Sequence, residues 1–127
     1  MNWLVFIGGL AAGFCTLGHF AIGSKAFLKP MLQAPFDDVP KKVMHSVFHY
    51  ISAFLVLSSV VLIAIGLGYN FNADTTVLVK FIAINFIVFA ITQIIIAATS
   101  NIPHGVFKLF QWIFFIVIAI FAWIGAS

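Results

Sequence analysis

The chain has no arginine and no glutamate, and charged residues of any kind make up only 7% of its 127 positions. A water-soluble domain carries about 25%. With 64% of the residues hydrophobic, so small a volume has no interior large enough to hide them, and the surrounding solvent must be lipid. Without glutamate there is no HExxH metalloprotease motif. The three acids are Asp37, Asp38 and Asp74, all in loops, so no carboxylate lies at membrane depth and a proton-coupled carboxylate carrier is disfavoured. The single cysteine, Cys15, excludes an intramolecular disulfide and sits in apolar surroundings that suit a protonated thiol rather than a nucleophile. There is no phosphate-binding loop and no Ser/His/Asp arrangement. The six basic residues, all lysines, form no basic patch outside the loops, so there is no footprint for nucleic acid.

What remains is a set of apolar runs. Four predicted spans cover about 3–22, 43–65, 76–98 and 104–124, each near the roughly 20 residues that cross a hydrocarbon core. The expected fold is all-α, a single domain forming an up-down bundle of four transmembrane helices. The first span makes a poor signal peptide, because no lysine precedes it. A lipoprotein reading of Cys15 fails on the bulky Phe14 before it. Gly9 and Gly13 are spaced for close helix packing, with Gly8 and Ala12 alongside, and offer a candidate contact face for a homo-oligomer or a larger membrane complex. Pro30 is expected to end the first helix and leave residues 23–42 as an interfacial loop. Asp38 reads as the N-cap of the second helix with Pro40 in its first turn, Gly66 and Gly68 as its end, and Asp74 as the cap of the third. Pro103 opens the fourth.

Orientation follows from lysine placement. Lys25, Lys29, Lys41 and Lys42 lie in the first loop and Lys108 borders the third, against Lys80 alone at the edge of the second. The positive-inside rule then puts both termini on the non-cytoplasmic side, in a cell membrane of the bacterial inner-membrane type.

Alternation of the spans brings the four histidines to one depth. His45 and His49, a turn apart on the second helix, head a stripe that continues through Ser52, Val56 and Ser59. His19 lies near the end of the first helix, on a stripe with Gly8, Ala12 and Cys15, and His104 stands at the mouth of the fourth. Imidazoles so gathered suit a transition metal or a haem, with His19 and His49 the deepest, His104 next and His45 nearest the interface. The plainer alternative is four interfacial histidines bonded to water, lipid headgroups or backbone. Asn85, Thr92 and Gln93 are polar within the third span. They line a small path if the chain acts as a transporter or channel subunit, and serve as interhelical glue otherwise. A third alternative is an accessory subunit of a membrane complex with no chemistry of its own. Nothing in the residues marks an enzyme.

The run Gly18-His19-Phe20-Ala21-Ile22-Gly23-Ser24-Lys25, followed by Leu28-Lys29-Pro30, the second-span histidines, His104 and Phe121-Ala122-Trp123-Ile124-Gly125, resembles a family of small uncharacterised bacterial four-helix integral inner-membrane proteins. That family often carries an acid where Ser24 stands here, and a tryptophan before its second-span histidine where this chain has Met44 or Phe48. Either His45 or His49 can be the matching position. The resemblance implies a four-helix membrane fold and no particular activity.

Overall fold

Asn2 and Asp74 start two of the long helices by the same device. The Asn2 side chain accepts from the Val5 N–H, and the Asp74 carboxylate accepts from the N–H groups of Thr76 and Val77, so donors that the first turn leaves unpaired are satisfied. The computed structural model describes residues 1–72 and 74–127. Their regular structure is entirely helical. α1 is Trp3–Gly18 and runs unbroken through a π-helical segment, His19–Leu28, into α2, Lys29–Gln33. α3 is Asp38–Gly66, α4 Thr75–Thr99, α5 Gly105–Lys108 and α6 Gln111–Gly125.

Three runs are long and apolar enough to cross a membrane: Trp3–Gln33 with 31 residues, α3 with 29 and α4 with 25. Large apolar side chains such as Leu17, Leu57, Val60, Val77 and Phe81 stand exposed around them, as they do where lipid is the solvent. The chain is a multi-pass membrane protein. α6 is equally apolar but has 15 residues, which span about 22 Å against the ~30 Å of a hydrocarbon core.

Three boundaries differ from the expectation. Pro30 does not end the first helix. It sits in the first turn of α2, where a missing N–H costs little, and the π segment feeds straight into that turn. The first loop therefore shrinks to residues 34–37. α3 begins at Asp38 rather than after it, with Asp37 in the cap position making no side-chain bond, and Pro40 still falls in the first turn. The fourth apolar stretch is divided. Pro103 and His104 form a turn closed by the Gly105 N–H on the Ile102 carbonyl, α5 follows for one turn, and α6 begins after a break at Leu109 and Phe110. The Trp112 indole N–H bridges that break to the Val106 carbonyl at 2.8 Å.

α1 lies between α3 and α6, and α4 packs on α6. Small residues on two sides of α1 permit this. A Cβ added at Gly9 would stand 2.7 Å from the backbone nitrogen of Ile63 on α3, and one at Gly8 would stand 3.3 Å from that of Ala122 on α6. Gly9 and Gly13 thus meet α3 of the same chain, Gly13 against Ser59. Bonds between α1 and α3 step by seven residues on both helices: Asn2 N–H to the Gly66 carbonyl, then Ser59 Oγ to the Gly9 carbonyl. This is the spacing of near-parallel helix packing. Val5, Ala12, Leu55, Leu62, Phe86 and Ile118 fill the core. Between α3 and α4, where the backbones approach least, Phe54 spans the seam to Phe86 and Phe89 with ring centroids 5.5 and 5.2 Å apart.

Candidate functional site

The helix run that carries His19 changes its hydrogen bonding at that residue. From His19 to Leu28 the bonds join i to i+5, and the Lys29 N–H still reaches the Ser24 carbonyl. π distortions of even one turn recur at functional sites, and this one extends over 10 residues. Small side chains accompany it. Gly18 precedes it, and within it Gly23 is buried where a Cβ would stand 3.5 Å from the Phe48 ring.

His19 is held on three sides. Its ring stacks on Phe48 with centroids 4.1 Å apart and planes inclined by 19°, and Phe20 meets it edge-on. Its Nε2 lies 2.9 Å from Ser52 Oγ, which donates its own proton to the Phe48 carbonyl at 3.0 Å. A hydroxyl has one proton to give, so with that proton on the Phe48 carbonyl the ring donates from Nε2 to Ser52, and with the other tautomer Ser52 donates to the ring instead. Helical side chains lean toward their own N-terminus, which lets His19 reach back to Ser52. Thr16, one turn earlier, turns its hydroxyl onto the Ala12 carbonyl of its own helix.

Beside His19 a pocket of about 300 Å³ opens between α1, the π segment, α3 and α6. Cys15, Gly18, His19, Ala21, Ile22, Gly23 and Phe27 line one wall. Ile51 and Leu55 of α3 form its floor, and Phe110, Gln111, Phe114 and Phe115 the far wall. Nearly all of that surface is hydrocarbon or aromatic. Polar groups come from His19 and Gln111, and Gln111 is fixed by accepting from Gln93 Nε2 at 2.7 Å. Gly18 faces open space, with nothing within 4 Å of the position its Cβ would take.

The remaining sequence candidates are dispersed. His45 and His49 approach each other on α3, Nε2 to Nε2 at 3.2 Å, on a face where His49 is exposed. Phe48 stands between them and His19, stacked on His19 and edge-on to His49, so a group clamped by His19 and His49 would have to displace that ring. His104 is exposed in its turn, in the left-handed region at φ 56°. Among the described residues, no three His, Cys, Asp or Glu side chains gather closely enough to hold a metal ion. Asn85 bonds back to the Phe81 carbonyl of its own helix, Thr92 is exposed, and Gln93 pairs with Gln111.

The sequence reading missed Ser52 as the partner of His19, Phe48 as its stacking surface, and Gln111 as a pocket residue. Ser52 had a signal: it repeats at seven with Ser59 and Gly66, the α3 positions that face α1. No family model, no curated protein and no solved structure matches the chain, so the chemistry of the site rests on its own residues.

Proposed function

We propose that the chain is a four-span membrane protein, with both termini on the non-cytoplasmic side, that holds a membrane-soluble apolar molecule in the pocket beside His19. The pocket itself carries this reading. It lies at the lower end of the 300–1,000 Å³ usual for small-molecule sites, and it combines an apolar lining with a few fixed polar groups. The π segment that walls it supports the same reading. The fourth crossing is made by α5 and α6 together, with the Trp112 bond across the break between them. The orientation rests on Lys25, Lys29, Lys41, Lys42 and Lys108 sharing one end of the helices. The test is lipid extraction from protein purified in maltoside detergent, with mass spectrometric quantitation. Wild type is expected to retain about one apolar molecule per chain, and Gly18→Phe, which adds a ring at a pocket-lining position whose Cβ would meet nothing within 4 Å, is expected to retain none. Equal retention would sink the proposal.

A second reading has one observation in its favour. His45 and His49, with ring nitrogens 3.2 Å apart on an exposed helix face, offer two adjacent imidazoles to a divalent transition metal. Isothermal titration with Ni²⁺, Cu²⁺ and Zn²⁺ tests it: binding abolished by His45→Ala supports it, and binding that survives that change removes it.

A further inference from the structure

Most of the chain's lysines lie toward the end of the bundle where Phe27 and Phe110 line the pocket. Phe27 lines the pocket at the end nearest the first loop, and exposed Lys25 and Lys29 lie two positions to either side of it along the same helical run. Phe110 closes the opposite wall at that end, and exposed Lys108 lies two residues before it. Asp37 and Asp38, at the start of α3, are the only acids at this end, against five lysines. At the other end of the bundle stands Lys80, with its ammonium 5.6 Å above the Trp123 ring. An apolar pocket at the lysine-bearing end of the bundle fits a molecule with a long hydrocarbon chain and a negatively charged head.

We infer that the occupant of the pocket is one acyl chain of an anionic phospholipid, with its phosphate diester among Lys25, Lys29 and Lys108. This deepens the proposed function and rests on it. The chain lies against Phe27, Phe110 and Phe114, and the head stays at the interface where long lysine side chains reach by snorkelling. A lysine close to an anionic head contributes on the order of 1 kcal/mol, so even one well-placed contact separates anionic from zwitterionic lipid about fivefold, and the set separates them more than tenfold.

The test is native mass spectrometry of the full chain in maltoside detergent, titrated with dioleoyl phosphatidylglycerol or dioleoyl phosphatidylcholine. Phosphatidylglycerol is expected to occupy one site more than tenfold more tightly. The Lys25→Gln, Lys29→Gln, Lys108→Gln triple variant is expected to lose that preference while still binding phosphatidylcholine. Equal affinity of the wild type for both lipids, or a preference that survives the triple variant, overturns the inference and leaves the pocket reading standing. If neither lipid is retained, or if Gly18→Phe and the smaller Gly18→Leu bind as wild type does, the pocket reading falls and takes the inference with it.

Discussion

The Asn2 side-chain amide donates to the Gly125 carbonyl at 2.6 Å, joining the start of α1 to the end of α6. The same residue gives its backbone N–H to the Gly66 carbonyl at the end of α3, at 2.8 Å, and its side-chain oxygen caps α1. One asparagine thus ties three helix ends, two of them through carbonyls that have no partner within their own helix. Asn2→Ala is expected to lose the cap and the Gly125 bond together, about 1–3 kcal/mol. Asn2→Asp keeps an acceptor for the Val5 N–H but has nothing to donate to Gly125, so its loss falls between wild type and Asn2→Ala. Unfolding by graded sodium dodecyl sulfate in maltoside micelles, followed by Trp fluorescence, ranks the three. Equal stability of Asn2→Ala and wild type would show that the tie is idle.

Two glycines of the first helix should respond in opposite directions to the same substitution. Gly9→Ala puts a methyl group 2.7 Å from the Ile63 nitrogen, backbone that cannot swing aside, so α1 and α3 must separate, at about 1–3 kcal/mol. Gly18→Ala meets nothing within 4 Å and replaces a poor helix former, so it gains up to about 1 kcal/mol. The comparison uses the same detergent unfolding assay, and a loss at Gly18 equal to that at Gly9 would mean that propensity rather than packing governs both sites.

These contrasts also show where the fold was legible in the sequence. Long apolar runs, the Asp74 cap and the Gly66–Gly68 helix end are local signals, and they mark α3 and α4 to within a few residues. Pro30 misleads because the penalty of a proline depends on its place in a helix, and that place was set by a π segment with no known residue pattern behind it. The divided fourth run was hidden for the same reason: Leu109 and Phe110 are as apolar as a continuous span requires, yet the chain breaks there. At the site, periodicity placed His45 beside His49, which is a matter of one helix. The pairing of His19 with Ser52 is a matter of two, and depth alone does not fix the rotation of one helix against another. That is why histidines expected at one level need not make one cluster, and among the described residues no three metal-ligating side chains gather.

His104 offers a check on its own role. It occupies the third position of the Ile102–Gly105 turn with φ 56°, a conformation that suits asparagine or glycine and strains most other side chains. His104→Asn is therefore expected to hold or raise stability by up to about 1 kcal/mol, and to leave the lipid content of the purified protein unchanged. A lost lipid or a stability drop above that magnitude would show that the imidazole makes a contact of its own.

The last prediction concerns which nitrogen of His19 holds the proton. Ser52 Oγ lies 3.0 Å from the Phe48 carbonyl and 2.9 Å from His19 Nε2, and with its proton on the carbonyl it accepts from His19, so the expected tautomer has Nε2–H as donor. Ser52→Ala leaves the Nε2–H without its acceptor in a half-buried, apolar setting, at about 1–3 kcal/mol. Ser46→Ala is the matched control, because Ser46 makes the same type of bond to the Lys42 carbonyl on an exposed face, and its loss should stay within about 0.5 kcal/mol. In ¹⁵N spectra of His-labelled protein, wild type should show His19 as one Nε2–H tautomer, and Ser52→Ala should mix the two. If Ser52→Ala leaves the tautomer unchanged, Phe48 stacking and the pocket hold the ring by themselves, and Ser52 serves only to join α3 to α1.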